Sequence, residues 1–70
     1  MALNWERATV GIKAETEFGT YVIYLPLGSG KRDWVLNLDL SRLGEAPDIG
    51  VLKAIADADH AHRTAMWETL

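Results

Sequence analysis

The segment Trp34-Val-Leu-Asn-Leu-Asp-Leu40 limits what this chain can fold into more than any other stretch. Trp34, Leu36, Leu38 and Leu40 fall on one side of an extended backbone; Val35, Asn37 and Asp39 fall on the other. Such period-two alternation marks a half-buried antiparallel strand, read here over 32–40. A strand needs neighbours, and two more precede it. Gly19 to Leu25 is rich in β-branched and aromatic residues and is bounded by Gly19 and Pro26. Tyr21, Ile23 and Leu25 share one face, Val22 and Tyr24 the other, so both faces are apolar and this strand (19–25) is expected to be central or covered on both sides. Val10, Ile12 and Ala14 alternate with Gly11, Lys13 and Glu15, giving a strand over 10–15. Thr16-Glu-Phe-Gly19 reads as the intervening turn, with Gly19 free to adopt a positive φ. A short first strand is read at 3–7.

After Pro47 the period changes to that of a helix. Ser41–Ala46 reads as a loop. Pro47 suits a first helical turn, where a missing N–H costs nothing, and Asp48 adds a favourable negative charge there. The helix is read over 47–68. At 100° per residue, Val51, Leu52, Ile55, Ala58, Asp59, His62, Ala65 and Met66 share a face, which is expected to pack on the sheet. The predicted fold is α+β: one domain, a meander of three or four antiparallel strands with one C-terminal helix on one face.

A chain of 70 residues has little buried volume. It has no cysteine, so disulfides cannot supplement the core, and burial against another chain is the remaining route. The absence of cysteine fits a reducing cytoplasm, the expected location. No apolar run approaches a membrane span and no signal-peptide core is recognisable, so no membrane role is expected. A net charge of −3 with seven Lys and Arg argues against direct nucleic-acid binding, which needs several phosphate contacts. It favours a protein partner with a basic surface.

Four features invite a chemical reading. Gly28-Ser-Gly-Lys31 looks like the end of a phosphate-binding loop. That motif needs a Gly where Leu25 stands, Ser or Thr where Arg32 stands, and a following helix where the best strand begins. The segment therefore reads as a hairpin tip, with Lys31 and Arg32 as a basic pair that could touch an acidic patch. Asp57-Ala-Asp-His-Ala-His62 suggests a metal or acid–base site. On a helix His60 and His62 diverge by about 200°. Asp59 can meet His62, and Asp57 can meet His60. Either pairing falls short of a zinc ligand set, so the reading is a carboxylate–imidazole pair or a cap on backbone, with no metal, cofactor or catalytic residue assigned. Trp67, with Ile49 and Ala56, lies on a flank of the helix bordered by His60 and Arg63. It either folds over the sheet edge or forms a partner surface, because Trp and Arg are enriched at binding hot spots. Val22, Tyr24 and Val35, on the outer sheet face, offer a second surface. Ser29 and Ser41 lack the elbow and neighbouring histidine of a nucleophile.

In order, the chain shows Trp5, Ala14-Glu-Thr16, Phe18-Gly19-x-Tyr21-x-Ile23, Trp34-x-Leu36 and Leu52-Lys-Ala-Ile-Ala56-Asp-Ala-Asp59. This resembles a set of small phage and prophage proteins in which a Trp precedes an Ala-x-Thr-x-Phe-Gly-x-Tyr hairpin, a Trp-x-Leu strand and an Ala-rich helix with a trailing Asp. The resemblance runs from Trp5 onward, and departs where the set often has a large apolar residue and this chain has Thr64. It implies a non-enzymatic protein that binds a host protein or complex, most concretely an anti-CRISPR or other anti-defence inhibitor, by class and not by motif. Occlusion is the expected mechanism. Mimicry of nucleic-acid charge would draw on Glu6, Glu15, Glu17, Asp39, Asp57 and Glu68, which are interleaved with bases. The expected partner-binding residues are Tyr24, Lys31, Arg32, Asp57, His60, Arg63 and Trp67. A homo-oligomeric (dimeric) assembly module is the second expectation, and a small metal-dependent hydrolase using Asp57, Asp59, His60 and His62 the third.

Overall fold

The computed structural model describes residues 3–26 and 33–68. Five strands form one antiparallel meander in chain order: β1 (Glu6–Ala8), β2 (Gly11–Thr16), β3 (Gly19–Tyr24), β4 (Trp34–Leu38) and β5 (Ser41–Ala46). The helix α1 (Ile49–Glu68) follows and packs on β5, β4 and β3. The α+β class and the C-terminal helix are as the sequence predicts. The described sheet has one strand more than the four at most expected.

The extra strand is β5. Ser41–Ala46 is not a loop but pairs with β4, from Leu38↔Ser41 to Trp34↔Ala46. Its apolar pattern is masked because the register shifts between Leu36 and Asn37, leaving Leu43 as an extra residue between Arg42 and Gly44. The turn before it is Asp39-Leu40, where Asp39 takes φ 52°. Asp tolerates the left-handed region, and its place is held from both sides: its N–H donates to the Thr20 carbonyl (3.0 Å) and its carboxylate accepts the Thr20 N–H (3.1 Å). Leu40, expected beside Leu38 in the core, is therefore a fully exposed turn residue. Val10 likewise leaves the predicted face of β2 for the β1–β2 turn and is exposed. The Thr16–Gly19 turn forms as expected. Thr16 Oγ1 donates to the Gly19 carbonyl (2.8 Å) and accepts the Phe18 N–H (3.2 Å), and Gly19 takes φ 130°.

The helix begins one residue past Asp48, whose carboxylate accepts the Gly50 N–H at 2.9 Å as an N-cap. Pro47 stands before that cap, outside the first turn. The face turned to the sheet also differs from the expected one. Leu52 and Ala56 are its buried residues, with Ile49 packed alongside, whereas Val51, Ile55, Ala58, His62, Ala65 and Met66 are exposed. Gly44 makes this rotation possible: a Cβ there would lie 3.6 Å from Ile55 and 3.9 Å from Leu52, so the helix rides close over β5. The core joins Leu52 and Ala56 to Ala14, Tyr21, Ile23, Leu36, Leu38 and Ala46, with Leu3, Trp5 and Trp34 at its margin. No helix among the described residues is long and apolar enough to cross a membrane.

Leu40→Ser should change stability by less than about 0.5 kcal/mol, as an exposed substitution. Leu38→Ala should cost about 2–5 kcal/mol through a core cavity. Urea denaturation of the two variants checks the turn assignment: equal losses would put Leu40 back in the core.

Candidate functional site

The polar residues of the helix gather where it crosses β3 and the Thr16–Gly19 turn. Tyr21, fully buried in the centre of the sheet, cannot leave its hydroxyl without a partner. It donates to Asp59 Oδ2 at 2.6 Å. The same oxygen accepts Arg63 Nε at 2.7 Å, one helical turn on. His60 Nε2 pairs with Glu17 Oε1 of the turn at 2.5 Å, and its ring meets Phe18 and Tyr21 edge-on at centroid separations of 5.6 and 6.5 Å. Asp57 accepts the Leu3 N–H at 2.9 Å, fastening the segment before β1 to the helix. Thr64 Oγ1 donates to the His60 carbonyl (2.9 Å), so this polar residue is satisfied by its own helix where the resembling set often has a large apolar one.

Burial pushes the Asp59 carboxyl up, but the hydrogen bonds from Tyr21 and Arg63, followed by the charges of Arg63 and His62, outweigh it and hold it below the usual carboxylate range. Burial, then the hydrogen bond and charge of Asp59, push the Tyr21 phenol well above its ordinary value. The hydrogen bond to Asp59 also raises Arg63. The arrangement is a static clamp: a neutral phenol and a cation share one carboxylate oxygen. Arg63 is 40% exposed, so solvent screening leaves its pairing a minor contribution beside the buried phenol–carboxylate bond.

The expected Asp59–His62 and Asp57–His60 pairs do not form: Asp59 turns to Tyr21 and Arg63, His60 to Glu17, and Asp57 to backbone. Among the described residues no three His, Asp or Glu side chains group closely enough to hold a metal. Of the acidic residues considered for charge mimicry, Glu15, Glu17, Asp39 and Asp57 each hold a partner within the chain.

Of the candidate partner-binding residues, Asp57, His60 and Arg63 lie together here, tied down by the contacts above. Trp67 continues their line one turn past Arg63 and is 70% exposed. Tyr24 lies on β3 opposite Val35, on the outer face and half-buried, remote from the helix. Lys31 and Arg32 fall outside the described residues. Glu17 and Phe18 escaped the sequence reading because their contact with His60 spans some forty residues of chain. Asp59–Arg63 was visible as an i, i+4 pair. The hollows among the described residues include one of about 340 Å³ lined by Thr9, Val10, Gly11, Leu25 and Trp34, and one of about 300 Å³ lined by His60, Ala61, Thr64, Ala65 and Glu68. Comparison with family models, with curated proteins and with solved structures finds no match.

The clamp sets a pH window. Asp59, with its folded pKa depressed, contributes stability that is present above the unfolded value of about 4 and is lost as pH falls through the folded value. Tyr21, with its folded pKa raised, contributes stability that is present below about pH 10 and is lost as pH rises beyond it. Thermal melts across pH should show a plateau falling on both sides. Asp59→Asn should flatten the acid limb and Tyr21→Phe the alkaline limb. Asp59→Ala, which leaves the buried phenol unpaired, should cost about 1–3 kcal/mol at pH 7. A double-mutant cycle with Tyr21→Phe should recover a coupling of about 1–2 kcal/mol; additivity of the two losses would refute the clamp.

Proposed function

We propose that this chain is a partner-binding protein of the kind its sequence resembles in phage and prophage genes, acting on a host protein, and most concretely as an anti-CRISPR or other anti-defence inhibitor that works by occlusion. The observation that carries the binding surface is the end of the helix. Asp59 and His60 are engaged by Tyr21 of the sheet and Glu17 of the β2–β3 turn, and Asp57 by the Leu3 N–H; further along, Ala65, Trp67 and Glu68 are exposed. A helix of 20 residues is about 30 Å long, and the molecule measures 43 × 20 × 19 Å, so an elongated shape presents this end. An indole 70% exposed next to an imidazole, a guanidinium and carboxylates combines apolar area with polar handles, the composition of a binding hot spot. The clamp and the Glu17–His60 pair hold that surface rigid, which lowers the ordering cost of association. Since most of the acidic residues are occupied internally, occlusion is favoured over mimicry of nucleic-acid charge.

Expression in a bacterial host with active CRISPR immunity should raise plaque formation by a targeted phage, and Trp67→Ala should return it to baseline while circular dichroism and Tm stay within experimental scatter. Truncating a hot-spot Trp costs about 2–4 kcal/mol of binding, enough to weaken inhibition thirtyfold or more. No gain in plaques across hosts carrying different CRISPR types and other defences would end the anti-defence reading. A gain insensitive to Trp67→Ala would move the surface elsewhere.

A further inference from the structure

The two edges of the sheet differ. β1 has three residues and β5 has six, and among the described residues no strand lies beyond β5. The two-residue turn makes Leu38–Ser41 a hydrogen-bonded pair, and such pairs alternate with pairs that do not bond. Arg42 and Glu45, opposite Asn37 and Val35, are therefore the β5 residues whose main-chain N–H and C=O point outward. The helix overhangs this edge. One flank of α1 is tied inward, through Asp57 to the Leu3 N–H and through His60 to Glu17. The other flank, Val51, Ile55, Ala58 and His62, is exposed and lies on the β5 side, where Ile55 approaches Gly44. An unpaired strand edge roofed by an apolar helix flank is shaped for an added strand that brings its own cover.

We infer that a second copy of this chain adds at β5: the two β5 strands pair antiparallel about a two-fold axis between Leu43 and Gly44, and the two helices lie side by side on one face of the joined sheet. Three observations select a second copy in this orientation. First, the edge matches itself in charge. Arg42 and Glu45 are exposed, sit on the outer sheet face, and lie 3.4 Å apart within one chain. The axis places Arg42 opposite Glu45 of the second copy, twice, so the four charges alternate in sign and the same two residues exchange main-chain hydrogen bonds. Parallel pairing would set like charge against like. Second, the helices match at the same axis. Ile55, over Gly44, meets its own counterpart; Val51 meets Ala58, and Asp48 meets His62. Glu68 overshoots the other Asp48 by six residues, about 9 Å along the helix, so no carboxylates oppose one another at the helix ends. Third, the assembly closes. The bulge at Leu43 and the two charges guard β5 against other strands, the short β1 offers little edge, and a two-fold uses each β5 once.

The contact combines strand and helix. About fifteen helical residues and the six of β5 give it a length of about 20–22 Å. Helix above and pleated strand below give a height of roughly 22 Å, hence about 500 Å² from each chain and about 1,000 Å² in total. That reaches the level of a specific interface and stays in its weak, reversible range. The inference uses a different surface from Trp67 and its test contains no host protein, so it holds or fails independently of the inhibitor reading.

Sedimentation velocity of the purified chain, from low micromolar to millimolar concentration, should show a transition from 7.8 kDa to twice that mass. Over the same range the Arg42 and Glu45 amides should exchange hydrogen more slowly. Arg42→Glu leaves only carboxylates around the axis and Glu45→Arg only guanidiniums. Both positions are exposed, so circular dichroism should be unchanged, while each variant alone should self-associate at least about tenfold more weakly. Mixed one to one, the two variants should associate as tightly as the parent. Neither variant keeps the internal Arg42–Glu45 pair, so recovery on mixing reports the contact between copies. A monomer at every concentration overturns the inference. So does a dimer whose β5 amides are not slowed, or one that either variant leaves intact, or a mixture of the variants that stays monomeric.

Discussion

The hydrogen bond from the Tyr21 phenol to Asp59 is the contact on which the rest of the tertiary structure turns. Tyr21 is fully buried at the centre of the sheet, and a buried hydroxyl without a partner is costly. The nearest strands have their backbone groups committed to the ladder, and the acceptor comes from the helix. Once Asp59 must point at Tyr21, the rotation of α1 about its own axis is set. Leu52 and Ala56 go under, and Val51, Ile55 and Ala58 go out. A turn of the helix that centred the expected stripe on the sheet would move Leu52 and Asp59 to its margin and draw Ala56 out of the core.

This explains why the helix projection selects the wrong face. Counting apolar residues treats each position as an independent contributor to burial. Here a single polar contact to a buried aromatic, together with the close approach over Gly44, outweighs several partly exposed aliphatic side chains. The stripe left outside is then long, uncharged and regularly spaced. A small domain cannot enclose all its apolar surface. The two faces of the helix are thus distinct: one packs on the sheet through Leu52 and Ala56, and the other is exposed.

The polar residues that suggest chemistry in the sequence are mostly fasteners. Asp57 holds the segment before β1, His60 holds the β2–β3 turn through Glu17, and Asp59 holds the sheet. Asp39 does the same work between two hairpins, with its carboxylate seated against Gly19, where a Cβ would lie 2.3 Å from an oxygen. Each carboxylate that secures the fold is one fewer available for a ligand.

The alternation around Trp34–Leu38 and Tyr21–Ile23, the Thr16–Gly19 turn and the Ala-rich stretch after Pro47 are local patterns. Local patterns determine strands, turns and helices, and by themselves they establish the α+β class, the meander and much of the sheet's inner face, with Leu40 and Val10 as the exceptions. The phosphate-loop reading also falls to local context, since Arg32 and the strand after it are visible without a fold. Three things were decided only in three dimensions. β5 exists because β4 templates it across a two-residue turn, and its bulge at Leu43 hides the alternation that would have announced it. The rotation of the helix follows from a phenol thirty-eight residues away. The candidate site follows from both, because Glu17, Tyr21 and Asp59 come together only when helix and sheet have docked. The physical reason is one of range: periodicity reports which side of an element is apolar, but the partner of a buried polar atom is chosen by distance in space.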